Sequence, residues 1–222
     1  MTTVIRRPIT LSASNPYQGR WDRDAACKGP ARDRFFVSSG KAQEESRAHC
    51  RSCPVLDRCL STTVMREGFS RDRWGVSGGL SEKQRIALAW EQRLRGHGPD
   101  LAVARELLKP AWQYRMYPLR TSGLTPNRIA EALRRDGIVT DGLTVRVAIW
   151  WLGGKGALFR WPSTGVRVEW LADRHGGVLL RLRELGATYF EIAAYLGVPL
   201  SYPARAMALL DERAVQELEA AA

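Results

Sequence analysis

The feature that most constrains this chain is its cysteines. There are four, Cys27, Cys50, Cys53 and Cys59, spaced C-x22-C-x2-C-x5-C, and all lie in the first 59 of 222 residues. Cysteines used as core filler scatter along a chain, so this segregation points to one shared site. A disulfide framework needs an oxidising compartment. The stretch Ile9 to Tyr17, behind Arg6 and Arg7, is too polar and too short to be the apolar core of an export signal. A cytoplasmic protein with reduced thiols is therefore expected. The longest apolar run, Val145 to Leu152, falls far short of the roughly eighteen residues that cross a bilayer, and no membrane partner is expected.

Local sequence frames the thiols. Lys41 to Arg51 contains neither Gly nor Pro and reads as a helix carrying Cys50 near its C-terminal end. Pro54 cannot extend that helix but suits the first position of a new one, Pro54 to Glu67. Cys53 is then its expected N-cap, where the positive end of the helix stabilises a thiolate. Cys59 falls inside that helix, and Cys27, on the approach to Gly29-Pro30, must be folded back. Structural zinc sites pair two short knuckles, whereas here one C-x2-C joins a five-residue gap and a distant fourth ligand. Uneven thiolates suit a 4Fe-4S cubane, whose irons each take one ligand; spacing favours the cluster and leaves zinc open. His49 adjoins Cys50 and reads more simply as an exposed helix-end residue than as a ligand. A redox thiol pair at Cys50 and Cys53 is a third reading.

Downstream, Gly75, Gly78 and Gly79 permit a tight reversal, and Ser81 with Gln84 forms a capping box for a helix, Glu82 to Leu94. These residues, with Trp21, Ala25-Ala26-Cys27, Pro30, Phe35-Phe36 and Cys50-Arg51-Ser52-Cys53-Pro54-Val55, carry a resemblance over Asn15 to Trp90. The stretch resembles the WhiB-like regulators of actinobacteria and their phages. That resemblance implies a small, mostly helical domain with a 4Fe-4S cluster on Cys27, Cys50, Cys53 and Cys59, responsive to oxygen and nitric oxide. It further implies action on transcription through the principal sigma factor of RNA polymerase, contacted by the turn Trp74, Gly75, Val76, Gly78 and Gly79. Trp21, Phe35, Phe36 and Val55 would shield the cluster. The family's turn is G-V/I-W-G-G; here Ser77 stands in place of its tryptophan, and Trp74 lies three positions earlier, placed to fill the same space or to serve as core.

The rest of the chain is read from pattern alone. Net charge is +11, and the acidic last twelve residues leave +14 on the remainder, which favours a polyanionic partner such as DNA. Gly96-His97-Gly98-Pro99 reads as a domain boundary. The expected organisation is a flexible 1–14, a cluster domain 15–95, a linker or connecting helix 96–122, a helical unit 123–165, and a final unit with an acidic tail, 166–222.

The fold class is thus mainly α, a four-cysteine domain followed by one or two helix-turn-helix-like units. In the last unit, a helix Val178 to Leu185 precedes Glu191-Ile192-Ala193 and Leu196-Gly197-Val198. These lead to a recognition-helix candidate, Ser201 to Leu210, offering Ser201, Tyr202 and Arg205 to DNA. In the earlier unit, Thr125 to Ile138 carries the basic cluster Arg128, Arg134 and Arg135, and Thr144 to Leu152 reads as helix or strand. Trp150, Trp151, Trp161 and Trp170 read as core with a turn or wing among them; Gly153-Gly154-Lys155-Gly156 lacks the phosphate-loop pattern. His49, His97 and His175 are scattered and no catalytic constellation appears, so a non-enzyme is expected. The alternative to a redox-responsive regulator is a zinc- or cluster-stabilised DNA-binding structural protein of a phage or mobile element.

Overall fold

The computed structural model describes residues 21–28, 32–36, 40–68, 73–154 and 167–221. These fall into two compact units, Met1–Gly156 and Ala157–Ala222. In the first, two 3-10 turns, Trp21–Asp24 and Arg32–Phe36, precede α1 (Gly40–Arg51) and α2 (Leu56–Glu67). A two-residue hairpin follows, β1 (Val76–Ser77) and β2 (Leu80–Ser81), and then α3 (Glu82–Arg95), α4 (Leu101–Glu106), α5 (Pro110–Thr121), α6 (Pro126–Arg135) and α7 (Gly142–Trp151). The helix ends follow local chemistry. Ser81 and Gln84 form the capping box on α3, Asp100 and Asp141 cap α4 and α7 by accepting from Val103 and Thr144 backbone N–H groups, and Pro110 and Pro126 open α5 and α6.

The core of this unit is α7. All ten of its residues are buried, which is why Thr144 to Leu152 shows no polar face and did not choose between helix and strand by periodicity; it is helical. Around it pack α6 and α4, and its apolar side chains join Leu56, Leu60, Leu80, Leu107 and Leu133 in one cluster that also contains Cys53. Arg146, mid-helix and buried, lies 3.5 Å from the Glu91 carboxylate and stacks over Trp150. The expected domain boundary at Gly96 is therefore a correction. Gly96 does end α3, in the left-handed region at φ 71°, but the expected linker and the first helical unit fold onto the cysteine-bearing helices, and the division between compact units falls after Gly156.

The hairpin is closely packed. Gly78 and Gly79 turn the chain with φ 56° and 72°, both positive, as a two-residue reversal between antiparallel strands demands. A Cβ on Gly78 would lie 2.4 Å from Leu60 Cα, and one on Gly79 would lie 2.8 Å from the Trp151 ring. Arg85 of α3, fully buried, holds the strands. Its guanidinium donates to the Gly75, Leu80 and Trp74 carbonyls at 2.9, 2.8 and 3.1 Å and pairs with Glu67 of α2 at 2.9 Å. The cation is thus satisfied by carboxylate and carbonyls together, which a buried charge requires.

The second unit contains α8 (Arg167–Glu184), α9 (Tyr189–Leu196) and α10 (Ser201–Ala221). The reversal expected around Gly186-Ala187-Thr188 is present, with Thr188 and Glu191 in a capping box and Gly197 ending α9 at φ 72°. Both flanking helices exceed the sequence expectation. Gly176-Gly177 does not break α8, because α10 packs against it there and a Cβ on Gly176 would come within 3.2 Å of Leu210. Beyond Leu210, α10 continues through Glu, Ala, Gln and Leu, good helix formers. Trp150 and Trp151 are core and Trp170 is half-buried. Lys155, Trp161 and the expected wing lie outside the described residues. Among the described residues no helix is long and apolar enough to cross a membrane.

Substituting Gly78 with Ala tests the hairpin. It forces an L-residue into positive φ against Leu60, and is expected to cost about 2 kcal/mol or more, read as a lower urea midpoint than a Gly137→Ala control, where φ is also positive but the space is open.

Candidate cysteine site

Cys27 follows the first 3-10 turn, and its segment is tied to α1 by His49, whose Nε2 donates to the Ala26 carbonyl at 2.7 Å. His49 is exposed and stands edge-on to Phe35, a helix-end residue as expected. Cys50 occupies the last turn of α1. From there the chain makes two successive turns, Cys53 N–H to the Cys50 carbonyl at 3.0 Å and Leu56 N–H to the Cys53 carbonyl at 3.3 Å. Only then does α2 begin, with Val55 at its N-cap. Cys53 is consequently not the N-cap, a correction. Pro54, which lacks an N–H, sits inside the second turn rather than at the first helical position, so the thiol does not lie at the helix end. Cys59 is one turn into α2, its N–H bonded to the Val55 carbonyl at 2.8 Å.

None of the four is in a disulfide; Cys53 is buried at 7% exposure and the other three are half-buried. Burial pushes the Cys50 thiol up to about 12, opposed by a hydrogen bond from the Gly79 backbone, with further upward contributions from Cys59, Cys27 and Cys53. The four sulfurs are thus electrical neighbours. Backbone donors reach two of them, Gly79 N–H at Cys50 and Ala26 N–H at 3.5 Å from Cys53 Sγ, and the Ser77 hydroxyl shares a hydrogen bond with Cys59 Sγ at 3.9 Å and with Thr63 Oγ1 at 2.8 Å. Such donors stabilise thiolates and lower the electron density on a bound group. Among the described residues no group of three or more His, Cys, Asp or Glu is placed to hold a metal ion. Four free thiols, one buried and three half-buried, two of them met by backbone N–H donors, are the donor set that a cluster with ligands on separate corners takes.

The residues expected to shield the site differ in exposure. Phe35 is buried and Val55 half-buried, but Phe36 is 61% exposed, so only one of the phenylalanine pair faces inward; the Trp21 side chain lies outside the described residues. In the turn, Val76, Gly78 and Gly79 are buried and Gly75 half-buried, whereas Trp74 is 74% exposed. It is therefore neither core nor a filler of the turn. Packed against the turn instead is Trp151, whose indole Nε1 donates to the Gly78 carbonyl at 2.9 Å. Sequence reasoning treated Trp151 as generic core and missed two arginines. Arg51 Nη1 donates to the Trp151 carbonyl at 3.0 Å. Arg105 of α4 clasps the cysteine turn, donating to the Cys53 and Pro54 carbonyls at 3.0 and 2.9 Å and pairing with Asp57 at 3.0 Å. Nothing in the local pattern around Arg105 announces this, since its partners lie about fifty residues earlier.

The nucleic-acid candidates lie on the surface. Arg128, Arg134 and Arg135 are exposed on α6, Arg128 pairing with Glu131 at 3.0 Å. On α10, Ser201 and Arg205 are exposed and Tyr202 is half-buried. The two sets belong to separate units.

The architecture around the thiols defines a small helical four-cysteine domain closed by a glycine hairpin. Its sequence matches the family model of the transcription factor WhiB over residues 21–88. The chain is 38% identical over 73 residues to the transcriptional regulator WhiB1 of Bifidobacterium longum, covering 31% of this chain and 75% of that protein. It is 34% identical over 89 residues to the redox-responsive transcriptional regulator WhiB3 of Mycolicibacterium smegmatis, covering 37% of this chain and 88% of that protein. With the transcriptional regulator WhiB2 of the same organism it shares 31% identity over 71 residues, 32% of this chain and about half (52%) of that protein's length. The chain belongs to the WhiB family, with the family domain in its N-terminal part. No solved structure matches it.

The raised Cys50 thiol has a thermodynamic consequence. A thiol held above its ordinary value contributes stability that is present below the ordinary value of 9.0 and is lost as pH rises toward about 12. The urea midpoint of the apo-protein is expected to fall between about pH 8 and about pH 11, and to fall less in Cys50→Ala.

Proposed function

We propose that this chain is a redox- and nitric-oxide-responsive transcriptional regulator, holding a 4Fe-4S cluster on Cys27, Cys50, Cys53 and Cys59 in the reducing cytoplasm. What supports the reading is that Cys50 feels each of the other three free thiols electrostatically, all four lying within the WhiB-matching residues, with backbone N–H donors at Cys50 and Cys53. When bound, the cluster supplies an oxygen- and nitric-oxide-sensitive redox centre. The chain's own residues ligate, desolvate and orient: Phe35 and Val55 limit water, and Gly79 and Ala26 present N–H groups to sulfur. The naming of relatives as transcriptional regulators, one of them redox-responsive, supports the regulatory role, and none of the three relatives described above is named an enzyme.

For output, exposed Trp74 beside the hairpin is the proposed contact with the principal sigma factor of RNA polymerase, large exposed aromatics being frequent anchors of protein interfaces. Two separate sets, Arg128, Arg134 and Arg135 on α6 of the first unit and Ser201, Tyr202 and Arg205 on α10 of the second, are each proposed to meet DNA.

Protein purified without oxygen is expected to be brown, to contain about four iron and four sulfide per chain, and to lose its visible absorption in air or nitric oxide. A colourless protein with one zinc would overturn the cluster. In a pull-down with RNA polymerase, Trp74→Ala is expected to lose the sigma subunit while keeping the colour. Replacing Arg128, Arg134 and Arg135 together with Ala is expected to weaken DNA binding and to reduce the slope of log affinity against log salt by roughly one for each phosphate no longer neutralised.

A further inference from the structure

The hairpin over Cys50 is closed by an element that the WhiB-matching residues do not contain. Those residues end at 88, and α7 begins at Gly142. Trp151, the last residue of α7 and fully buried, touches both halves of the cysteine site. Its indole donates to the Gly78 carbonyl at 2.9 Å and its ring lies directly over Gly79. Its own carbonyl accepts from Arg51, the residue after Cys50, at 3.0 Å. Arg51 in turn pairs with Glu44 at 3.1 Å, and Glu44 lies so close to Gly153 that a Cβ there would stand 2.7 Å from its carboxylate oxygen. The C-terminal end of α7 is thus seated against α1 and against the turn at once.

From this geometry we infer that Trp151 is the gate residue of the cysteine site: α7 covers the glycine turn from within the same chain, and the seating of the Trp151 indole sets how readily solutes reach Cys50. The physical reason lies in the turn itself. Gly79 N–H meets the Cys50 sulfur only while the two-glycine reversal keeps its position. Leu60, Arg85 and Trp151 all pack against or hydrogen-bond that reversal. Glycines have no side chains with which to close the remaining space, so the indole supplies the missing volume. Withdrawing it frees the turn, releases the N–H from sulfur and widens the path to a thiol that is half-buried. The inference deepens the proposed function, for it names what regulates access to the proposed cluster, and it rests on reading the four cysteines as one site.

The test uses the full-length chain and two readouts. In reduced apo-protein, the rate at which iodoacetamide modifies each cysteine is followed by peptide mass mapping. In Trp151→Phe, which keeps most of the ring volume and loses the bond to Gly78, Cys50 is expected to react about tenfold faster than in wild type, with Cys27 unchanged. Trp151→Ala is expected to show a larger change where far-UV circular dichroism confirms that it folds. Trp150→Phe, one residue earlier and also buried, is expected to leave Cys50 unchanged. An unchanged Cys50 rate in Trp151→Phe, or equal acceleration of all four cysteines, would overturn the inference, the second because it reports general unfolding. In protein holding the cluster, Trp151→Phe is expected to bleach several-fold faster in air. A colourless wild type would sink the cluster reading, and the labelling rates of the apo-protein would still decide the role of Trp151.

Discussion

At Gly78 and Gly79 the backbone leaves no room for a side chain, Gly78 lying against Leu60 of α2 and Gly79 against Trp151 of α7. Much of the first unit depends on this close approach. It fixes where β2 delivers Ser81 to start α3, where Arg85 must reach to satisfy the strand carbonyls, and how near the Gly79 N–H comes to Cys50. Dense packing makes such a point unforgiving, because one added methyl has nowhere to go. Both glycines also have positive φ, so geometry and volume demand the same residue type for independent reasons.

The chemistry of the thiols follows from that packing. Cys50 is desolvated because α1 ends beneath the hairpin, and desolvation keeps it protonated until something replaces the lost water. The N–H groups of Gly79 and Ala26 and the hydroxyl of Ser77 supply part of that replacement. Ser77, which stands where the family pattern has a tryptophan, therefore has its own place here, between Thr63 and Cys59. Cys50 is thus a half-buried thiol held neutral by desolvation, with a backbone donor already directed at its sulfur.

The segment after Gly96 changes how the domain is understood. Arg105 grips the Cys53-Pro54 turn and Trp151 grips the glycine turn, so residues 97–154 complete the cysteine unit rather than trail from it. The wholly apolar α7 is intelligible on the same ground: a helix buried on every face belongs at the centre of a unit, and α2, α3, α4 and α6 supply the surroundings.

Much was legible from residue order because it depends on near neighbours. Helix α1, the capping box at Ser81 and Gln84, the reversal at Thr188 and the stop at Gly197 are decided by caps, glycines and prolines within a turn or two of where they act. The start of α2 was misplaced by two residues because Pro54 suits a turn as well as a first helical position. Tertiary structure alone decided the partnership of Cys50 with Gly79, the clasp of Arg105 on residues some fifty positions earlier, the inward and outward division of Phe35 and Phe36, and the docking of Trp151 on Gly78 across 73 residues. Each of these joins groups remote in sequence, and only the burial of one shared core brings them within bonding distance.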